Sequence, residues 1–107
     1  MRAASLAATV AILALTGCGG GSPAPRHHIH LTPFERHGKA LFISTCGMCH
    51  TLADAGTDGT VGPALDSPWQ ASRVEETIAE GPGDMPAGRV TGADAAAVAA
   101  YVAAATK

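Results

Sequence analysis

Hydrophobic positions along the chain form three patterns. From Ala3 to Leu15 they are nearly continuous, broken only by Ser5 and Thr9. Further on they recur at helical spacing, and between those stretches lie Gly- and Pro-rich segments with no period. Phe34, Leu41 and Phe42 share helical spacing behind Thr32-Pro33-Phe34-Glu35. That tetrapeptide is a helix start: Thr as N-cap, Pro at the first helical position, Glu three residues after the cap. Gly38 interrupts the helix at a cost of about 1 kcal/mol against alanine, which suits a point of close packing. A second helix is expected over Arg73 to Glu80, with Ser72 and Glu75 as a capping box, Val74 and Ile78 as an apolar edge, and Gly81 as the stop. A third is expected over Ala93 to Ala105, where Thr91 and Asp94 resemble a capping box and Val98, Tyr101 and Val102 form one stripe. Gly56 to Pro68 and Gly81 to Gly88 read as loops. No stretch alternates in the period of a strand, so the expected fold is all-α, about three helices with long loops.

The first apolar run is too short to span a bilayer and, behind Arg2, suits the core of an export signal. It ends in Leu15-Thr16-Gly17-Cys18, which resembles a bacterial lipobox: an aliphatic residue, two small residues, a cysteine. The resemblance implies cleavage before Cys18 and acylation of that residue; a cleaved signal with an incidental cysteine, or an uncleaved anchor, are the alternatives. Several acyl chains at about 0.8 kcal/mol per methylene would hold the protein almost permanently on a membrane. The expected organisation is therefore a lipoprotein signal over 1–17, the lipidated cysteine with a flexible Gly/Pro/His tether over 18–31, and a folded domain over 32–107. The expected location is the outer face of the cytoplasmic membrane or a periplasmic membrane surface. Gly19 to Pro25 is flexible and stiffens at its prolines, with a reach on the order of 20 Å. His27, His28 and His30 follow; they read as a metal-binding cluster, as a solvated end to the tether, or as competitors for iron in unfolded protein.

Composition sharpens this picture at two points. A chain of 107 residues suggests one domain, and only 4% of it is aromatic: Phe34, Phe42, Trp69 and Tyr101. So small a domain rarely fills its core from side chains alone, so a bulky apolar group is expected to be missing from the sequence. The net charge is −2, becoming −3 once Arg2 leaves with the signal, and this acidic balance opposes nucleic-acid binding. Of three cysteines, Cys18 belongs to the lipobox and the others share one motif, leaving no pair for a disulfide framework.

That motif is Cys46-Gly47-Met48-Cys49-His50. Two thiols at this spacing can each bond one haem vinyl group, and the histidine after the second can reach the iron: this is the attachment signature of c-type haem. A thiol–disulfide redox site would need a βαβ setting, and a structural zinc would need a second pair of ligands. Neither is evident. For the second axial position, Met1 leaves with the signal and Met48 is pinned in the attachment loop. Met85 remains, in a Gly- and Pro-rich segment that lets backbone approach a flat ligand; its alternative is a loop residue with no ligand role.

With these residues in order, the chain resembles the class I, monohaem c-type cytochromes over about Thr32 to Thr106. The resemblance implies a cytochrome c fold around one covalently attached haem, with Gly38 and Phe42 on the first helix crossing Val98 and Tyr101 on the last. Gly62-Pro63-Ala64-Leu65 resembles the family's Gly-Pro-x-Leu stretch, which implies that the Pro63 carbonyl accepts a hydrogen bond from His50 and raises its basicity. It also implies an electron carrier rather than an enzyme, with Phe42, Leu65, Val74 and Ile78 enclosing the porphyrin and with respiratory or dehydrogenase redox partners at the membrane. The chain lacks the ring of lysines found in mitochondrial members. Trp69 has two roles open to it, donor to a haem propionate or simple cover, and Arg73 and Arg89 are propionate partners or surface residues. A peroxidase or gas sensor with an open iron site is the rival reading, and a non-haem metal-binding lipoprotein using His27, His28 and His30 is another.

Overall fold

A computed structural model describes Gly17, Gly19 and residues 29–107. Residues 1–16 of the signal segment, Cys18, most of the tether, His27 and His28 lie outside the described residues; His30 is exposed. The folded part contains α1 (Pro33–Leu41), a two-stranded antiparallel ribbon of β1 (Thr51–Leu52) and β2 (Thr57–Asp58), α2 (Ala71–Glu80) and α3 (Gly92–Ala105). None of these helices is long and apolar enough to cross a membrane.

α1 begins where its local signals put it. The Thr32 side chain accepts from the Glu35 N–H, and the Glu35 carboxylate accepts from the Thr32 N–H at 2.8 Å. The helix then widens without a break into a π-turn over Phe42–Cys46, which delivers the chain to the Cys-Gly-Met-Cys-His motif. α1 packs mainly on α3. They meet at Gly38, where a Cβ would collide with the Ala97 carbonyl and lie 3.0 Å from Tyr101 Cβ. Glycine's helical penalty of about 1 kcal/mol is thus offset by contact between two backbones.

Phe42, Leu52, Ile78, Val98, Tyr101 and Val102 form the buried core. Each such side chain contributes about 1.5–3 kcal/mol on burial. Phe42 and Tyr101 meet edge to face, with ring centroids 5.9 Å apart. The Tyr101 hydroxyl donates to Asp54 at 2.6 Å, and Lys39 Nζ reaches the same carboxylate oxygen at 3.1 Å. Burial, reinforced by that carboxylate, pushes the phenol's pKa far above the ordinary tyrosine value.

Four expectations need correction. The ribbon appears where no strand was expected, because the Thr57 hydroxyl accepts from the Leu52 N–H at 3.0 Å and donates to the His50 carbonyl at 2.8 Å, closing a tight turn at Gly56. α2 begins at Ala71 after Gln70, and the Ser72–Glu75 box does not form. The Trp69 N–H is tied to Thr106 at 3.0 Å, and the Gln70 carbonyl accepts from the Arg73 and Val74 N–H groups to open the helix. Thr91 occupies the N-cap of α3 but its side chain makes no capping bond. Gly92 adopts φ 54°, which swings the chain, and Asp94 turns instead to His37 at 2.9 Å. Phe34, one turn before the crossing, is 47% exposed and stands outside the core stripe.

Candidate functional site

The π-turn, the ribbon and the loop from Gly59 to Leu65 build one side of the site. Gly62 N–H donates to the Cys49 carbonyl at 2.8 Å and Leu65 N–H to the Thr51 carbonyl at 2.8 Å, so this loop is stitched along the attachment motif. The close fit requires glycine at 62: a Cβ there would stand 2.5 Å from His50 Cε1 and 2.9 Å from both ring nitrogens. His50 Nδ1–H donates to the Pro63 carbonyl at 2.8 Å. With Nδ1 so engaged, Nε2 carries the free lone pair and is the ring's remaining ligand atom.

The loop after α2 builds the other side. Gly81 ends α2 in the left-handed conformation, Met85 N–H donates to the Pro82 carbonyl at 3.1 Å, and Gly88 N–H returns to the Ile78 carbonyl at 2.8 Å. These bonds hold Met85 half-buried against the core.

Between the two sides lies a cleft with two connected recesses that share Cys46, His50, Ile78 and Met85. The inner recess, on the side of the core, is lined also by Phe42, Leu65, Trp69, Val74, Val98 and Val102. The outer reaches Met48, Cys49, Pro86 and Arg89. Cys46 and Cys49 are free thiols at its edge. Burial, with a smaller contribution from neighbouring Cys49, pushes the Cys46 thiol's pKa up against the opposing pull of the Arg89 guanidinium.

A flat apolar group carrying polar acceptors fits this cleft on three counts. The walls are nearly all aliphatic or aromatic, thiols and a free imidazole nitrogen converge on it, and the Trp69 indole Nε1–H is buried with no partner. A buried donor left unpaired costs about 1–3 kcal/mol, a cost that a carboxylate brought in by the group would remove. Covalently held haem has this shape and this donor demand.

Cys46, Cys49, His50, Met85 and Pro63, singled out from the sequence, all line this cleft, as do Phe42, Leu65, Val74 and Ile78. Arg73 does not: it is exposed and paired with Glu76 at 2.6 Å. Arg89 is exposed at the rim of the outer recess. The sequence reading missed Gly62 as the residue that fits the His50 ring, and Thr57 and Thr106 as hydroxyls that tie the site together. Gly62 had a signal, since it precedes the Gly-Pro step; the two threonines had none.

The family model described as cytochrome c oxidase, cbb3-type, subunit III, matches residues 34–102. Among solved structures, the chain is similar to the c-type cytochrome SorU from Sinorhizobium meliloti, with 39% identity, a TM-score of 0.62, and 69% of this chain and 93% of that one covered. No curated protein matches it. The family match over most of the folded part and the structural match to a c-type cytochrome agree: the chain belongs to the c-type cytochromes, in the family described as cytochrome c oxidase, cbb3-type, subunit III.

Proposed function

We propose that this protein is a monohaem electron carrier, ligated by His50 and Met85, that shuttles single electrons between respiratory or dehydrogenase partners at a membrane surface. The observation that carries the reading is His50, held by the Pro63 carbonyl at 2.8 Å with Nε2 free, in one cleft with two free thiols and Met85. Cys46 and Cys49 would hold the haem, and it would supply a one-electron iron couple. The chain's own part is orientation and exclusion of water. The Pro63 carbonyl fixes the His50 tautomer and makes the ring a stronger donor to iron. Phe42, Val74, Ile78 and Val98 keep the inner recess dry, and the low dielectric with a thioether ligand favours the ferrous state. Trp69 Nε1–H would answer a propionate. His50 and Met85 would both be ligands to the iron and would leave it no open site for substrate, so no residue is assigned a catalytic role. Membrane attachment through acylated Cys18, on the outer face of the cytoplasmic membrane or a periplasmic surface, rests on the lipobox.

A reduced-minus-oxidised spectrum with redox titration, run on exported protein whose intact mass is known, tests the whole reading. The mass should equal the chain from Cys18 plus acyl chains plus one haem, and the ferric form should be low-spin and methionine-ligated. Met85→Ala should keep its covalent haem while the potential falls by on the order of 0.1–0.3 V, a fraction of the span of about 0.8 V that axial ligands cover. A colourless protein sinks the reading. A high-spin ferric form that binds cyanide rapidly transfers the protein to the open-site class of peroxidases and sensors.

A further inference from the structure

We propose that Thr106 is a positioning residue for Trp69, and through Trp69 acts on the group held in the cleft. The inference rests on the haem reading above. Thr106 follows α3 and is buried, with 8% of its surface exposed. Its hydroxyl donates to the Val102 carbonyl at 2.8 Å and accepts from the Trp69 N–H at 3.0 Å. The one proton is committed to the helix, so a lone pair faces Trp69, and the hydroxyl relays between the last turn of α3 and the segment that enters α2.

That relay matters because the segment has little else to hold it. Among the described residues, no backbone–backbone hydrogen bond involves Asp66, Ser67, Pro68 or Trp69, and the Thr106 contact is the one hydrogen bond on this stretch. Trp69 nevertheless lines the inner recess, and its indole Nε1–H is buried without a partner. A donor of this kind is useful only where it is held, since hydrogen bonds weaken steeply with misalignment. The penultimate residue of the chain therefore governs where the indole meets the cofactor's polar edge. Serine retains both hydrogen bonds; valine keeps the shape and loses both.

The test compares matured, haem-bearing wild type, Thr106→Ser, Thr106→Val, Trp69→Phe and Thr106→Val/Trp69→Phe by reduction potential. Emission from Trp69, the chain's one tryptophan, is a second readout. Thr106→Val should shift the potential and raise emission as the indole moves off the haem, while Thr106→Ser should match wild type. In the Trp69→Phe background, Thr106→Val should cause no further shift. An unshifted Thr106→Val, a Thr106→Ser that shifts as far, or an equal shift without the indole each overturns the inference. Amide exchange in wild type stands independently of whether the variants mature: the Trp69 N–H should exchange far more slowly than that of Ser67, and equal rates overturn the proposal. A wild type without covalent haem refutes the haem reading instead, and the amide comparison still decides whether Thr106 holds Trp69.

Discussion

Replacing Gly62 by alanine tests the fit between the Gly-Pro loop and the proximal histidine. Gly62 does not use the left-handed region, so alanine suits its backbone, and any effect must come from space. The new Cβ would stand 2.5 Å from His50 Cε1 and 2.9 Å from Nδ1 and Nε2. Carbon contacts are comfortable at about 3.5–4.0 Å, so ring and loop must separate by about 1 Å. Neither is free to do so: the ring is bonded to Pro63 next door, and the Gly62 N–H is bonded to Cys49. Overpacking of this kind costs about 1–3 kcal/mol, and loss of the His50–Pro63 bond adds about 1 kcal/mol. Alanine returns about 0.4–1 kcal/mol by restricting the unfolded chain. The expected net loss is about 1–3.5 kcal/mol in guanidinium unfolding of the matured protein, accompanied by a changed optical spectrum. Pro63→Ala is the control, because it keeps the carbonyl and adds no atom near the ring; it should lose less than about 1 kcal/mol. If Gly62→Ala stays within about 0.5 kcal/mol of wild type with an unmoved spectrum, the ring is not wedged against residue 62 and the reasoning fails.

Gly38→Ala should destabilise by about 1–3 kcal/mol despite a gain in helix propensity of about 1 kcal/mol, because the methyl enters the contact with the Ala97 carbonyl; a variant as stable as wild type in denaturant would place the helix crossing elsewhere. Tyr101→Phe should cost about 1.5–3 kcal/mol at neutral pH through the lost bond to Asp54. It should also flatten the alkaline limb of stability. Folded Tyr101 keeps its proton where the unfolded tyrosine releases it, near pH 10, so wild-type stability falls as pH rises above about 10, with a slope approaching 1.4 kcal/mol per unit. Equal slopes for wild type and Tyr101→Phe between pH 10 and 12 would refute that account.

The helix start at Thr32 was legible because every group it needs lies within four residues: cap, proline and answering glutamate satisfy one another before any tertiary contact forms. Ser72 and Glu75 present as good a local signal and it fails. α2 begins at Ala71 with no side-chain cap, and the residue before its N-cap is tied to Thr106, far away along the chain, through the Trp69 N–H. Asp94 likewise turns from its own helix terminus to His37 on α1. For Asp94 a short-range bond was available and a long-range one formed, and no local pattern ranks the two.

What the sequence determined by itself is whatever its spacing already encodes. Two thiols and an imidazole in five residues specify an attachment chemistry, three apolar periodicities specify three helices, and a shortage of aromatic bulk implies a guest in the core. Only the tertiary structure decided how that guest is surrounded. Gly62 fits the His50 ring, Thr57 closes the ribbon behind it, and Thr106 bonds the backbone of Trp69, whose indole N–H is buried and unanswered. The reason is physical: a side chain's hydrogen bonds and the space around a missing Cβ depend on which distant backbone the fold brings alongside, and the local order of residues carries no record of that neighbour.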